Sequence, residues 1–164
     1  MFDCKTLTGY NICMPNIDRR KSIIQIIRFV VVFIAIIIFL YTRTYPSKVI
    51  LGGKEFSVEV LDTKPLLEKG LSGHKPLNSD EGMLFIFQKP DSYGFWMKDM
   101  LFPIDIIWMD ANWKIVYINK SLRPETYPKI FYPDAPSLYV LEISEGEAQT
   151  LGLKIGDTVK FIEK

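Results

Sequence analysis

The chain of 164 residues is 48% hydrophobic and carries 20 basic against 19 acidic side chains, a formal net charge of +1. That length suits one domain plus an appendage, and the near-neutral balance excludes the gathered basic excess by which nucleic-acid binders of this size attract phosphate. An aromatic content of 13% excludes a wholly disordered chain, because it supplies apolar surface enough for a core.

Charge is unevenly placed along the chain. Residues 1–46 carry six Lys or Arg against two Asp, whereas residues 47–164 carry fourteen against seventeen Asp or Glu. The first 21 residues form a short N-terminal segment that holds both cysteines, Cys4 and Cys13. No disulfide can therefore support the bulk of the protein, and free thiols, or one site of reversible acylation, are the uses left to them.

A transmembrane helix is expected over 22–42. From Ile23 to Tyr41 only Gln25 and Arg28 interrupt the apolar run, and fifteen of the residues are Ile, Val, Leu or Phe. Eighteen residues, Ile23–Leu40, span about 27 Å as a helix, close to the hydrocarbon thickness of a bilayer. The apolar residues contribute roughly −5 to −9 kcal/mol to insertion, and Arg28 opposes this by at most about 3 kcal/mol. Arg19, Arg20 and Lys21 before the run put the N-terminus in the cytoplasm and the C-terminal bulk outside. A cleaved signal would need a shorter apolar core and a small-residue cleavage site, which YTRTYPSK lacks.

After a linker at 43–47, residues 48–164 read as one extracytoplasmic domain without repeats. Val49–Leu51, Gly52-Gly53 and Lys54–Leu61 predict a hairpin. Asp62 or Thr63 can cap a short helix that Pro65 opens and Gly70 ends. Met83–Gln88, Gly94–Lys98, Ile104–Met109 and Lys114–Ile118 predict strands, and Ser121–Ser137, with four prolines, is too broken for a central one. Tyr139–Ile143 resumes as a strand, Ser144 with Glu147 suggests a capping box for a helix ending at Gly152, and Thr158–Glu163 is a final strand. Many short strands and two short helices predict a mostly β fold, a compact sandwich or small barrel.

Gly70-Leu71-Ser72-Gly73, Gly82-Met83-Leu84-Phe85, Phe95-Trp96-Met97-Lys98, Pro103-Ile104-Asp105-Ile106, Tyr139-Val140-Leu141-Glu142 and Gly152-Leu153-Lys154-Ile155-Gly156-Asp157 occur in that order. Over about residues 48–163 the sequence resembles the "domain of unknown function 192" family of bacteria and archaea. The resemblance implies a compact β-rich fold, often exported or membrane-anchored, and implies no activity. His74 stands where the family usually has Arg; if that Arg pairs with a carboxylate, the pairing here becomes pH-dependent or absent.

With one histidine and no cysteine after residue 13, a zinc site is not expected, and no phosphate-loop or nucleophile-elbow sequence appears. No metal and no cofactor are expected. The informative residues are charges inside apolar strands. Asp105 interrupts Ile104–Met109, which is otherwise apolar on both faces, and a buried carboxylate needs a partner. Lys98 is the first expected partner, and backbone N–H groups of the Asp99–Pro103 turn are the second. Glu142 poses the same question in Tyr-Val-Leu-Glu-Ile. If Asp105 and Glu142 converge, with Lys98 positioning an anionic group, they could do acid–base work in a small hydrolase or transferase. If they do not, they are structural.

Aromatic residues concentrate between Phe85 and Tyr139. Phe85, Phe87, Trp96 and Trp108 suit a core, whereas Tyr127, Phe131 and Tyr132, on the proline-rich loop, could line a groove with Trp96 and Lys98 or simply cover a sheet edge. Met83, Met97, Met100 and Met109 allow a soft-metal reading but equally suit core packing. The leading expectation is a membrane-anchored domain that binds an envelope ligand or protein partner without catalysis.

Overall fold

The computed structural model describes the backbone of residues 2–7, 10–15, 19–44 and 46–164, and the side chains of residues 21–38 and 46–164. The chain divides into two units, Met1–Tyr45 and Pro46–Lys164.

In the first unit, β1 (Phe2–Leu7) and β2 (Tyr10–Pro15) pair antiparallel, with Cys4 and Cys13 as register partners. Helix α1 (Arg19–Thr44) follows. Its stretch Lys21–Ile38 has a mean hydropathy of 2.4 and none of it is buried against protein. Eighteen residues of helix cover about 27 Å, so α1 is long and apolar enough to cross a bilayer.

The second unit is mostly β. Strands β3 (Ser47–Leu51) and β4 (Lys54–Leu61) form the expected hairpin, and Gly52 and Gly53 both take positive φ, 58° and 80°, as a tight two-residue turn requires. Helix α2 (Lys64–Lys69) then crosses over to β5 (Glu81–Asp91), which lies parallel to β4. A parallel pair cannot be joined by a tight turn, and α2 with the 70–80 loop supplies the longer connection. Pro65 sits in the first turn of α2 and Gly70 closes it, while Thr63 takes the cap position without a side-chain bond.

Strand β6 (Phe95–Trp96) leaves the main sheet and pairs with β9 (Ile130–Phe131) in a separate ribbon. Strand β7 (Ile104–Met109) is buried at every position, as expected for a strand covered on both sides. Strand β8 (Ile115–Leu122) runs past its expected end at Ile118 and its register with β7 is irregular. A 3-10 turn, Pro124–Thr126, and the β6–β9 ribbon account for the proline-rich stretch, which contributes no central strand. Strand β10 (Ser137–Ser144) is central, helix α3 (Glu147–Thr150) follows, and β11 (Lys160–Ile162) closes the chain.

The seven-stranded sheet has the order β11-β3-β4-β5-β10-β7-β8. Its two edges meet at one end, where Lys114 and Thr158 form an antiparallel bridge and Val159 N–H donates to Trp113 O at 2.9 Å. The sheet is thus curled without closing into a barrel. Each face carries its own core. On the face covered by α3 lie Phe56, Leu84, Ile107, Met109, Leu141, Ile143 and Ala148. On the face covered by α2 and the 92–103 segment lie Leu71, Met83, Phe85, Met97, Ile106, Trp108 and Val140.

One local expectation fails. Ser144 does not cap α3; its hydroxyl donates to Leu77 O at 2.9 Å, fastening the 70–80 loop to β10. Gly146, with φ 85°, takes the cap position, and Glu147 pairs with Lys54 at 2.7 Å. The left-handed turn demanded there suits glycine and leaves no place for a reciprocal box.

Candidate functional site

Asp105 and Glu142 sit on neighbouring strands but on opposite faces of the sheet. In register, Glu142 faces Ile106 and Asp105 faces Ile143. Ile106 belongs to the α2-side core and Ile143 to the α3-side core, and alternate residues of a strand point to opposite faces. The two carboxyls therefore do not converge, and the shared acid–base pocket expected from the sequence does not form.

Asp105 is completely buried and both of its oxygens accept hydrogen bonds. Oδ1 accepts from Ser121 N–H at 2.7 Å and Oδ2 from Ala148 N–H at 2.8 Å. Neither expected partner, Lys98 nor the Asp99–Pro103 turn, is used. The carboxylate instead fastens two backbone points far apart in sequence: the irregular part of β8, where Ser121 has φ 55°, and the first turn of α3. Charge-assisted bonds to backbone N–H groups compensate its desolvation without a cation.

Glu142 is 4% exposed, and its Oε2 has no hydrogen-bond partner. Met83 on β5 and Ile106 on β7 flank it. Burial without a compensating donor or cation disfavours the charged form and pushes its carboxyl up to about 8. Near neutral pH the group is mostly a neutral acid, able to donate one hydrogen bond and accept others.

Glu142 lines a cleft of about 720 Å³. One wall is α2 and its continuation, including Lys64, Leu67, Lys69 and Ser72; the other is formed by Phe85, Phe87, Tyr93, Phe95, Trp96 and Lys98. The aromatic wall is internally braced. Phe95 stands edge-on to Phe85 at 4.9 Å and to Trp108 at 5.7 Å, while Phe87 stacks on Tyr93 at 3.5 Å. Trp108 Nε1–H donates to Tyr93 O at 2.9 Å, and Tyr93 Oη–H to Lys89 O at 2.7 Å. Burial, with the charge of Asp91, keeps the Tyr93 hydroxyl above its usual range and hence neutral. The two walls are tied together where Ser72 Oγ–H donates to Lys98 O and Gly73 N–H to Asp99 O, both at 2.9 Å.

Of the expected ligand-binding residues, Trp96 and Lys98 line this cleft, whereas Tyr127, Phe131 and Tyr132 do not. Tyr127 meets the Trp96 ring edge-on at 6.0 Å. Phe131 is the register partner of Phe95 and packs into the α2-side core. Tyr132 lies over Gly94, where any side chain would collide with its ring. Tyr127 and Tyr132 thus contact the aromatic wall without lining the cleft, and Phe131 shares the face of Phe95 in the core. Lys98 Nζ stands 5.6 Å from the centre of the Trp96 ring. The four methionines do not converge, since Met83, Met97 and Met100 lie on one face and Met109 on the other. His74 is half-buried and forms no ion pair among the described residues.

Residues outside the site candidates read from the sequence complete the cleft: Ser72 and Phe95, which lie in the family-like strings, and Tyr93 and the lysines of α2. Nothing in the α2 sequence says which face of the sheet it covers, and that placement, with the aromatic wall opposite, turns Glu142 from a core oddity into a cleft residue.

Two solved structures share this fold. A protein of unknown function from Novosphingobium aromaticivorans is 33% identical, with a TM-score of 0.65, covering 70% of this chain and 83% of its own. A Sinorhizobium meliloti protein, provisionally described as a transcription regulator, is 26% identical, with a TM-score of 0.65, covering 70% of this chain and 91% of its own. No curated protein matches the chain. The family profile DUF192, described as an uncharacterised ACR, matches residues 47–161, and the chain belongs to that family.

Proposed function

We propose that the protein is a single-pass membrane protein whose N-terminus is cytoplasmic and whose DUF192 domain lies outside, where it binds a small envelope ligand without catalysis. The observation that carries the binding reading is the unpartnered Glu142 carboxyl lining an aromatic-walled cleft. A buried polar group with no partner is costly, and a cleft of this volume is of the size that small-molecule sites have. The membrane reading is supported by the length and hydropathy of α1 and by the basic residues before its apolar stretch. A catalytic reading that relies on both carboxylates finds no support, because Asp105 faces the other core and its oxygens are engaged. The provisional description of the Sinorhizobium relative does not transfer readily, since residues 47–164 carry more acidic than basic side chains.

Both halves of the proposal have direct tests. A membrane-impermeant maleimide applied to intact cells should label an exposed Ser92→Cys and leave the native Cys4 and Cys13 unlabelled; the reverse pattern would refute the orientation. Small-molecule fractions of an envelope extract should raise the melting temperature of the wild-type chain and not that of Phe95→Ala. Equal shifts in the two proteins would refute binding in the cleft.

A further inference from the structure

The charges around the cleft run against those of the domain that contains it. Residues 47–164 are net acidic, yet the lining holds Lys64, Lys69 and Lys98 against two carboxyls, Glu68 and the buried Glu142. Lys64 and Glu68 stand 3.9 Å apart and answer each other. Lys69 and Lys98 have no ion-pair partner among the described residues, although acidic side chains outnumber basic ones in the rest of residues 47–164. Lys98 is instead held against the half-exposed Trp96 ring. Two exposed cations left unpaired at the entrance to one concave site attract anions to it and oppose cations, and the low-dielectric walls concentrate the effect. Glu142, buried between Met83 and Ile106 in the cleft lining, presents the opposite requirement: a group that will share a hydrogen bond with a carboxyl rather than a full charge.

Resting on the ligand-binding reading above, we propose that the cleft takes a small amphiphilic anion. Its phosphate or carboxylate group is held at the mouth by Lys69 and Lys98, an aromatic or similarly flat apolar body lies against Phe95 and Trp96, and an oxygen at the inner end accepts a hydrogen bond from Glu142. The three requirements come from separate observations: the unpaired lysines, the braced aromatic wall and the orphaned carboxyl. A ligand ending in an ammonium group meets the mouth with the wrong sign. A purely apolar ligand leaves Glu142 as it is.

The test uses the full chain in lipid nanodiscs and three water-soluble fragments, with affinities read by titration calorimetry. 4-Nitrophenyl phosphate carries all three features, phenyl phosphate lacks the inner oxygen, and 4-nitrobenzylammonium reverses the charge. The expected order places 4-nitrophenyl phosphate at least about tenfold tighter than either of the others, a difference of roughly 1.4 kcal/mol. The exposed double variant Lys69→Gln/Lys98→Gln should abolish the preference over the ammonium, and Glu142→Met the preference over phenyl phosphate. Equal binding of anion and cation, both lost in Phe95→Ala, would overturn the anionic class while leaving the cleft as a binding site. Equal binding of the two phosphates would overturn the role of Glu142. Binding of all three unaffected by Phe95→Ala, or no binding of any, would overturn the proposal together with the cleft reading on which it rests.

Discussion

Asp105 and Glu142 are carboxylic acids on adjacent central strands, both nearly inaccessible to water, and they are treated oppositely. On the α3 side, Asp105 has a backbone donor on each oxygen and fastens two loops. On the α2 side, Glu142 has an oxygen with no partner and a cleft in front of it. The difference shows that burial alone does not distinguish a structural charge from a functional one. What distinguishes them is whether the fold supplies partners. Asp105 strengthens the architecture, whereas Glu142 is carried by it, as groups held ready for a ligand often are.

The sharpest way to break this contrast is to remove each carboxyl. Asp105→Ala deletes two charge-assisted bonds and leaves two backbone N–H groups buried, so denaturation of the full chain in detergent micelles should show a loss of about 3–5 kcal/mol. A loss below about 1 kcal/mol would mean that Asp105 is not the staple described.

Glu142 should behave in the reverse sense. Its carboxyl is raised to about 8 in the folded state from an ordinary 4.5, so between these values the folded protein binds more protons than the unfolded chain. Stability therefore falls as pH rises through that window and levels off above it. Between pH 5 and pH 8 the wild type should lose roughly 3 kcal/mol through this group, and Glu142→Gln should lack that component. Parallel pH profiles for the two proteins would contradict the assignment.

A smaller effect is expected at the aromatic wall. A methyl group on Gly94 would lie 2.5 Å from a Tyr132 ring carbon and 2.7 Å from Ile130, so Gly94→Ala must push the β9 ribbon outward. The exposed tyrosine can yield, which holds the cost to about 1 kcal/mol, while affinity for cleft ligands should fall more than stability does. The smallest effect belongs to the Lys54–Glu147 pair. It is partly exposed, and Lys54→Met should change stability by less than about 1 kcal/mol.

Much of the fold was legible in the residues, and the reasons are local. The double glycine specified the β3–β4 turn, the unbroken apolar run of β7 announced a strand covered on both sides, and the prolines of 121–137 excluded a central strand. Glu142 was recognisable as anomalous from its apolar neighbours alone. Its separation from Asp105 was not, because which face a strand residue takes depends on register with its neighbours, and no single strand encodes that. The partners of Asp105 were hidden for a related reason. They are backbone N–H groups, which every residue except proline carries, so no side-chain pattern marks them. Tyr127, Phe131 and Tyr132 drew attention by their residue type, yet none lines the cleft: Phe131 pairs with Phe95 in the α2-side core, and the two tyrosines contact the wall at Trp96 and Gly94.

The most direct test of the central contrast is a carboxyl-carbon NMR titration of the full chain labelled at glutamate, with Glu142→Gln identifying the resonance. The account predicts one glutamate half-titrated near pH 8 and missing from the variant. A Glu142 resonance titrating in the ordinary range near 4.5 would show that the carboxyl is already charged and paired at neutral pH, and would contradict it.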